Sequence, residues 1–286
     1  MKTVGVIANC TKPRAADVLR RVREKADDLG MSLECDAPSA ELLGVPGCPT
    51  ERLFDKVDAL MALGGDGTML RAVRELAGRD IPIIGVNIGS LGFLTSVAEE
   101  DIDRAMTCLD RDDFTIAEWS LADSRLYRNG AVTAEHRALN DVVVATGSST
   151  RVLTLDVHID EEYVTSYVCD GLIVSTPAGS TGHSLSAGGP IVMPQSRSLV
   201  LSLICPHTLT SRPLVIPDSS VISVTAAQGC ERALLAVDGQ LSTPLDPGDR
   251  IEVTRSETGA RFIHLPRHSY FGVLRQKLRW GGSSVR

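Results

Sequence analysis

The sequence is poor in aromatic residues and contains no run of basic residues. Phe, Trp and Tyr make up only 4% of its 286 residues, so it lacks the rows of aromatic side chains on which single-stranded nucleic acids stack. The 29 Lys and Arg residues are outnumbered by 36 Asp and Glu residues, which gives a net charge of −7. Such a chain is not expected to bind an extended polyanion or an anionic membrane surface. We therefore predict no nucleic-acid partner and no membrane partner.

Paired cysteines and long apolar runs are also missing. The seven cysteines include no Cys-x-x-Cys pair, which argues against both a disulfide framework and a zinc knuckle. No apolar run approaches the roughly 18 residues that a membrane span requires. The apolar start of the chain is interrupted at Thr11, before the core of a signal peptide is complete. These absences favour a location in the cytoplasm.

What the sequence does contain is a first region, residues 1–116, in which short apolar runs alternate with helical periodicity. The predicted strands are Lys2–Ala8, Met31–Cys35, Val57–Leu63 and Ile81–Val86, and the predicted helices span about 15–29, 68–78 and 99–110. This alternation of strand and helix is typical of a parallel sheet with crossover helices. We therefore predict an α/β domain over residues 1–116.

The second region, residues 117–266, has a different pattern. Short segments rich in Val, Ile and Thr predict strands at Leu139–Ala145, Val152–Ile159, Gly171–Thr176 and Val221–Ala226. Turn residues separate most of them, so a mainly antiparallel all-β domain is expected, interrupted by one helix near 180–187. The segment 267–286 has helical character from Tyr270 to Trp280, and we expect it to pack back on the first domain.

A glycine-rich loop follows the predicted strand Val57–Leu63. The loop reads Gly64-Gly65-Asp66-Gly67-Thr68 and opens a helix, a position where backbone N–H groups attract phosphate oxygens. It is neither a Walker motif nor a dinucleotide fingerprint, because no Gly-Lys-Ser/Thr follows and Leu70 replaces the third glycine. A carboxylate in such a loop points to a metal or a chemical role. The alternative is that Asp66 merely caps the helix.

Polar residues mark two places in the β region. Asn140 and Asp141 stand immediately before the apolar run Val142-Val143-Val144, and they are either ligand-binding groups or a cap at a turn or strand start. The segment 170–190 then carries six hydroxyl side chains around a Pro-Ala-Gly-Ser-Thr turn, which favours a hydrogen-bonding pocket for a nucleoside over a purely structural turn. No histidine has a partner at metal-ligand spacing, so no protein metal site is assigned.

Taken together and in this order, these motifs, with Cys205-Pro206-His207-Thr208 and Asp238-Gly239-Gln240, resemble NAD kinases of the bacterial type. The resemblance implies transfer of phosphate from ATP or polyphosphate to the 2′-hydroxyl of the adenosine ribose of NAD, giving NADP. It also implies a Rossmann-like N-terminal domain and a C-terminal β-sandwich. A divalent metal, Mg²⁺, bound through nucleotide phosphates, and a homodimer or homotetramer are expected as well.

The resemblance also assigns roles to individual residues. Asp66 matches the general base, and Gly64, Gly65, Gly67 and Thr68 form the loop that is expected to hold the phosphate donor. The residues that match NAD contacts are Asp66, Gly67, Arg71, Asn140, Asp141, Arg151, Asp170, Thr181, Gly182, His183, Ser184, Leu185, Ser186 and Gln240. We expect this site to lie between the two domains.

Two other functions are compatible with parts of the pattern. The aspartate-containing glycine loop also occurs in lipid kinases, although the acidic charge and the segment after Asp170 argue against a lipid acceptor. A non-catalytic dinucleotide sensor would keep the pocket without turnover, and the presence of Asp66 argues against it.

The chain departs from the commoner family residues at three places. Gly182-His183 stands where Ala-Tyr is frequent, Asp141 where Glu is frequent, and Val168 where a basic residue is frequent.

Overall fold

A computed structural model describes residues 1–89, 92–147, 152–227 and 233–281. The chain divides into two compact units. Unit 1 comprises Met1–Glu118 and Ala260–Arg286, and unit 2 comprises Trp119–Gly259.

The first part of the chain alternates strands and helices. Its elements are β1 (Thr3–Ala8), α1 (Ala15–Leu29), β2 (Ser32–Cys35), α2 (Ala37–Leu43), α3 (Thr50–Leu53), β3 (Ala59–Gly64), α4 (Asp66–Leu76), β4 (Ile83–Asn87), β5 (Val97–Ala98), α5 (Ile102–Asp110) and β6 (Thr115–Trp119). A single 3₁₀ turn, Glu99–Asp101, precedes α5. In α1, five buried side chains recur at helical spacing, which fixes the face that packs on the sheet.

Unit 2 consists mainly of strands. They are β7 (Ala122–Arg128), β8 (Ala131–Ala138), β9 (Asp141–Thr146), β10 (Leu153–Ile159), β11 (Glu162–Cys169), β12 (Gly171–Ser175), β13 (Ser198–Ile204), β14 (Leu214–Pro217), β15 (Ile222–Ala226), β16 (Ala233–Val237), β17 (Leu241–Pro244) and β18 (Arg250–Arg255). A 3₁₀ turn, Ala178–Thr181, and the short α6 (His183–Ser186) follow β12.

The sheet of unit 1 is completed from the far end of the chain. Its strand order is β2-β1-β3-β4-β19-β6, where β19 (Ala260–His264) pairs in parallel with β4. β1 pairs in parallel with both β2 and β3, and β3 with β4. The strands β1, β3 and β4 are buried almost throughout, because helices cover both faces of such a sheet. The last helix, α7 (Tyr270–Leu278), also belongs to unit 1.

Unit 2 is a sandwich of two antiparallel six-stranded sheets. Their orders are β11-β10-β15-β18-β7-β8 and β14-β13-β12-β9-β16-β17. Alternate side chains of both sheets form one apolar core, which includes Val142, Val174, Leu235, Val224 and Ile251. Alternation of this kind follows from the two-residue repeat of a strand.

The predicted fold class is confirmed, with a Rossmann-like N-terminal domain and a C-terminal β-sandwich. The boundary predicted at residue 266 placed Ala260–His264 in the β domain. In the structure this segment is β19, which joins the parallel sheet of unit 1. The single helices predicted over 99–110 and near 180–187 are each a 3₁₀ turn followed by an α-helix. Within the described ranges, no helix has the length and apolar character that crossing a bilayer requires.

Candidate active site

The glycine-rich loop joins the carboxyl end of β3 to the first turn of α4. Gly64 is the last residue of β3, Gly65 is the N-cap residue and Asp66 is the first residue of the helix. No side chain caps α4, and Asp66 places its negative charge where the helix dipole is positive. Gly67 is exposed and Thr68 is buried. The proposal that Asp66 only caps the helix through its side chain finds no support in this geometry.

The carboxylate of Asp66 is held by the loop that follows β4. Its two oxygens accept one backbone N–H each, from Phe93 at 2.9 Å and from Leu94 at 3.0 Å. Gly92 makes this close approach possible, because a Cβ atom there would lie 1.8 Å from Oδ1 of Asp66. The side chain is only half-buried. Each carboxylate oxygen has two acceptor positions, so both can still accept a hydrogen bond from a substrate.

Arg71 lies further along α4 and reaches the carboxyl end of β1. Its guanidinium donates to the carbonyl oxygen of Ala8 at 3.1 Å and lies 3.6 Å from the carboxylate of Asp36. Asp36 is buried and caps α2 by accepting from the N–H of Ser39 at 3.1 Å. Arg71 therefore ties α4 to β1 and α2 within unit 1.

In unit 2, Asn140 and Asp141 are fixed by the hairpin turn between β16 and β17. The carboxylate of Asp238 in that turn accepts the backbone N–H groups of Leu139, Asn140 and Asp141, at 2.9, 2.7 and 3.1 Å. Asp238 has a left-handed backbone, with a φ of 52°, which Asp tolerates better than most residues. Three N–H groups that would otherwise be unpaired at the start of β9 are thereby satisfied.

The side chains of Asn140 and Asp141 differ in their hydrogen-bonding groups and in their charge. Asp141 is 5% exposed, and burial together with the negative charge of Asp238 raises the pKa of Asp141 to about 7. The Oδ1 atom of Asn140 is buried without a hydrogen-bond partner in the described part of the chain. The Nδ2 atom of Asn140 would lie 3.7 Å from a Cβ on Gly182. Asn140 thus retains an acceptor beside the turn that follows β12.

That turn packs directly on the backbone of Asn140. A Cβ on Gly179 would lie 2.0 Å from the carbonyl oxygen of Asn140, and the same oxygen accepts the N–H of Thr176 at 2.9 Å. The Oγ1 atom of Thr176 donates to the carbonyl oxygen of Leu139 and accepts the N–H of Gly179 at 3.1 Å. The structure therefore brings Asn140 and the turn of residues 176–182 together.

Most hydroxyls of this segment are engaged inside unit 2. Ser180 donates to the carbonyl oxygen of Pro177 at 2.6 Å, and Thr181 to that of Ala178 at 3.2 Å. Ser184 lies 3.0 Å from the hydroxyl of Ser202. The argument that so many hydroxyls would be wasted in a structural turn therefore does not hold for Thr176, Ser180, Thr181 and Ser184. A ligand role for this segment remains a prediction.

The remaining predicted residues lie at the edges of these groups. His183 and Ser186 on α6 are exposed, and Leu185 is half-buried. Asp170 is half-buried immediately before β12, and Gln240 is exposed in the β16–β17 turn. Arg151 lies outside the described residues.

Sequence reasoning did not assign site roles to Gly92, Phe93, Leu94 or Asp238. A signal for the first three existed, because Gly89 and Gly92 follow a predicted strand at short spacing, as in a loop that approaches a ligand or another side chain. Their contribution is made by backbone N–H groups, which leave no side-chain pattern. Asp238 belongs to the motif Asp238-Gly239-Gln240, but its role in holding Asn140 follows only from long-range contacts.

The donor groups of the site bear on whether it can hold a metal ion. Within the described ranges, His, Cys, Asp and Glu side chains form no group of three or more that could hold one. Mg²⁺ is usually bound through one or two carboxylates together with substrate phosphates and water. The half-exposed carboxylate of Asp66 beside a phosphate-binding type of loop fits this second arrangement.

Comparisons with known proteins cover most of the chain. Residues 50–114 match the family model of the ATP-NAD kinase N-terminal domain, and residues 139–265 match that of the ATP-NAD kinase C-terminal domain. The NAD kinase of Moorella thermoacetica is 40% identical, over 99% of this chain and 91% of that protein. The NAD kinase of Heliobacterium modesticaldum is 39% identical, over 98% of this chain and 100% of that protein.

Two solved structures share the fold. The NAD kinase of Archaeoglobus fulgidus, solved in complex with ATP, has a TM-score of 0.76 and 26% identity, covering 96% of this chain and 99% of its own. Yeast NADH kinase, solved in complex with NADH, has a TM-score of 0.92 and covers 100% of this chain and 89% of its own. Its sequence is 24% identical, so that likeness concerns the fold.

Proposed function

The chain belongs to the NAD kinase family and phosphorylates NAD to NADP, and we propose that Asp66 is the general base of this transfer. The observation that carries the assignment is the geometry of its carboxylate. Two backbone N–H groups hold the carboxylate at the carboxyl end of β3 and leave it half-exposed. Ligands of open α/β sheets bind beyond that end of the strands.

Phosphoryl transfer depends on positioning and on neutralising charge. A carboxylate within hydrogen-bond reach of the 2′-hydroxyl can orient the attacking oxygen and accept its proton as the bond to phosphorus forms. Such a base typically contributes about 10²- to 10⁴-fold in rate. The two N–H groups that hold Asp66 fix its orientation before substrate arrives, so none of this ordering has to be done during the reaction.

ATP serves as a phosphate donor, and we propose that its phosphates bind at the loop of Gly64, Gly65, Gly67 and Thr68. The loop opens α4 without a side-chain cap, so the positive end of the helix dipole faces an incoming anion. We further propose that Mg²⁺ accompanies the donor, and that the donor's phosphates together with the carboxylate of Asp66 would hold it. When bound, the metal ion neutralises charge on the phosphates.

Recognition of NAD is assigned to unit 2 together with Arg71. The free acceptor Oδ1 of Asn140 and the exposed side chains of His183, Ser186 and Gln240 support this assignment. A site that pairs with ligand hydroxyls and amines rejects ligands that leave its polar groups unpaired. We also propose, from the family resemblance, that the protein acts in the cytoplasm as a homodimer or homotetramer.

The assignment of Asp66 is tested by Asp66→Asn, which keeps the shape of the side chain and removes the base. NADP formation from NAD, ATP and Mg²⁺ is expected to fall about 10²- to 10⁴-fold in kcat, while NAD binding measured by calorimetry stays within about threefold. Asp55→Asn serves as the control, because Asp55 is an exposed carboxylate that precedes β3. A kcat near the wild-type value in Asp66→Asn would refute the base. A wild-type protein that binds NAD without producing NADP would instead be a sensor.

A further inference from the structure

Three successive backbone N–H groups in the loop of residues 92–95 donate to side chains. The N–H of Gly92 donates to Oγ1 of Thr95 at 3.2 Å. Those of the next two residues donate to the two carboxylate oxygens of Asp66. Buried N–H groups need acceptors, and Thr95 pairs the one donor of the three that Asp66 does not accept. Thr95 and Asp66 thus share the donors of one short loop.

Thr95 is itself fixed to the parallel sheet. Its side chain is 1% exposed, and its backbone packs on Gly85 in β4, where an added Cβ would lie 3.1 Å from the Cα of Thr95. The following residue, Ser96, donates its N–H to the carbonyl oxygen of Gly85 at 3.1 Å. Every residue of β4 is buried. The hydroxyl that accepts from Gly92 therefore has a fixed position relative to the sheet.

The C-terminal segment that returns to unit 1 contacts this part of the chain at two points. The hydroxyl of Ser96 donates to the carbonyl oxygen of Ile263 in β19 at 3.4 Å. The ammonium group of Lys277 on α7 lies 5.4 Å from the centroid of the Phe93 ring, within the distance of about 6 Å at which an aromatic face attracts a cation. Phe93 is half-buried, and its N–H is one of the two that hold Asp66. The segment therefore braces the residues that orient the carboxylate.

We propose that Thr95 and Lys277 are positioning residues for the general base Asp66. Thr95 fixes the loop of residues 92–95 to β4, and Lys277 holds Phe93 from α7. Both act through the backbone N–H groups that the carboxylate accepts. A misplacement of about 1 Å can cost about 10²-fold in rate, so small shifts of this loop should change turnover. The inference rests on the proposed function, since it requires Asp66 to be the base.

The first experiment is Thr95→Val, which keeps the branched shape of the side chain and leaves the N–H of Gly92 without its acceptor. With NAD, ATP and Mg²⁺, kcat should fall about ten- to hundredfold, while the KM for NAD stays within about twofold. Thr95→Ser restores the hydroxyl and should return kcat to within about threefold of the wild type. Thr107→Val is the control, because its hydroxyl donates to the carbonyl oxygen of Asp103 within α5. A wild-type kcat in Thr95→Val would overturn the role of Thr95.

The second experiment is Lys277→Ala, an exposed substitution on α7. It should lower kcat about two- to fivefold, the factor that corresponds to a cation–π contact at an exposed site, with the KM for NAD unchanged. Lys277→Arg should keep the wild-type kcat, because a guanidinium is also attracted to the Phe93 ring. Arg275→Ala is the matched control, since it removes an exposed positive charge from the same helix. Equal kcat values in Lys277→Ala and Arg275→Ala would overturn the role of Lys277.

A double substitution tests whether Thr95 acts through Asp66. Residues that act as a unit have non-additive effects on rate, so adding Thr95→Val to Asp66→Asn should lower the residual kcat by less than about twofold. A further loss as large as that of Thr95→Val alone would overturn the positioning role. A near-wild-type kcat in Asp66→Asn would contradict the proposed function itself. A low kcat in Asp66→Asn together with a wild-type kcat in Thr95→Val would contradict only this inference.

Discussion

Asp66 in unit 1 and Asp238 in unit 2 each accept backbone N–H groups through their carboxylates, two at Asp66 and three at Asp238. The N–H groups on Asp66 come from a loop beside its own strand, and the carboxylate remains half-exposed. Those on Asp238 come from the start of β9, where they would otherwise be unpaired. The same chemistry therefore orients a reactive group in unit 1 and closes a hairpin onto a strand in unit 2.

The glycines that allow these close contacts differ in the same way. A Cβ on Gly92 would meet the end of the Asp66 side chain, whereas a Cβ on Gly179 would meet the backbone of Asn140. A side chain can rotate away from an added methyl group, but a hydrogen-bonded backbone cannot do so without moving its strand. We therefore expect the contact between Gly92 and Asp66 to affect the position of a reactive group, and the contact between Gly179 and the Asn140 backbone to affect stability.

The first test of this difference adds one methyl group in unit 1. Gly92→Ala should displace the carboxylate of Asp66, since the new Cβ atom would lie 1.8 Å from Oδ1 of Asp66. A misplacement of about 1 Å can cost about 10²-fold in rate, so we expect NADP formation to fall by that factor with the Tm nearly unchanged. Steady-state kinetics and a thermal melt of the same preparation measure both quantities.

The same methyl group in unit 2 is the matched control. Gly179→Ala should lower the free energy of unfolding by about 3 kcal/mol or more, because overpacking against backbone forces a main-chain shift. Gly92→Ala with full activity, or Gly179→Ala with an unchanged Tm, would show that the two contacts do not differ as described.

The sequence could predict those parts of the molecule that depend on local pattern. Short stretches of sequence are enough to identify the apolar runs of β1, β3 and β4 and the glycine loop at Gly64–Thr68. The parallel sheet and the position of Asp66 were therefore predictable. The pairing of β19 with β4 was not, because Phe262 meets Ile83 from a distant part of the chain. The N–H groups of Phe93 and Leu94 were not either, because every residue except proline has such a donor.

A second test makes the same substitution, Asp to Asn, at Asp238 in unit 2. Asp238→Asn keeps the left-handed backbone acceptable, but its amide nitrogen faces one of the three N–H groups that the carboxylate accepts. One buried donor is left unpaired, which costs about 1–3 kcal/mol. We expect chemical denaturation to show this loss. Asp66→Asn also loses one of its two N–H partners, but that side chain is half-exposed and water can pair with the N–H group that is released, so a smaller loss is expected. An equal loss in both variants would remove the distinction between the two aspartates.

The smallest expected effect concerns Asp141 and changes with pH. Because the folded pKa is raised to about 7 and the unfolded value is about 3.9, the folded state keeps a proton that the unfolded state releases between these values. The stability that this proton contributes is fully present below about pH 4 and is lost as pH rises through 7. Asp141→Asn removes this dependence. From pH 5 to pH 8, the Tm of the variant should rise relative to the wild type by a few degrees, corresponding to about 1–2 kcal/mol. The absence of this rise, or the opposite trend, would mean that Asp141 is ionised in the folded protein.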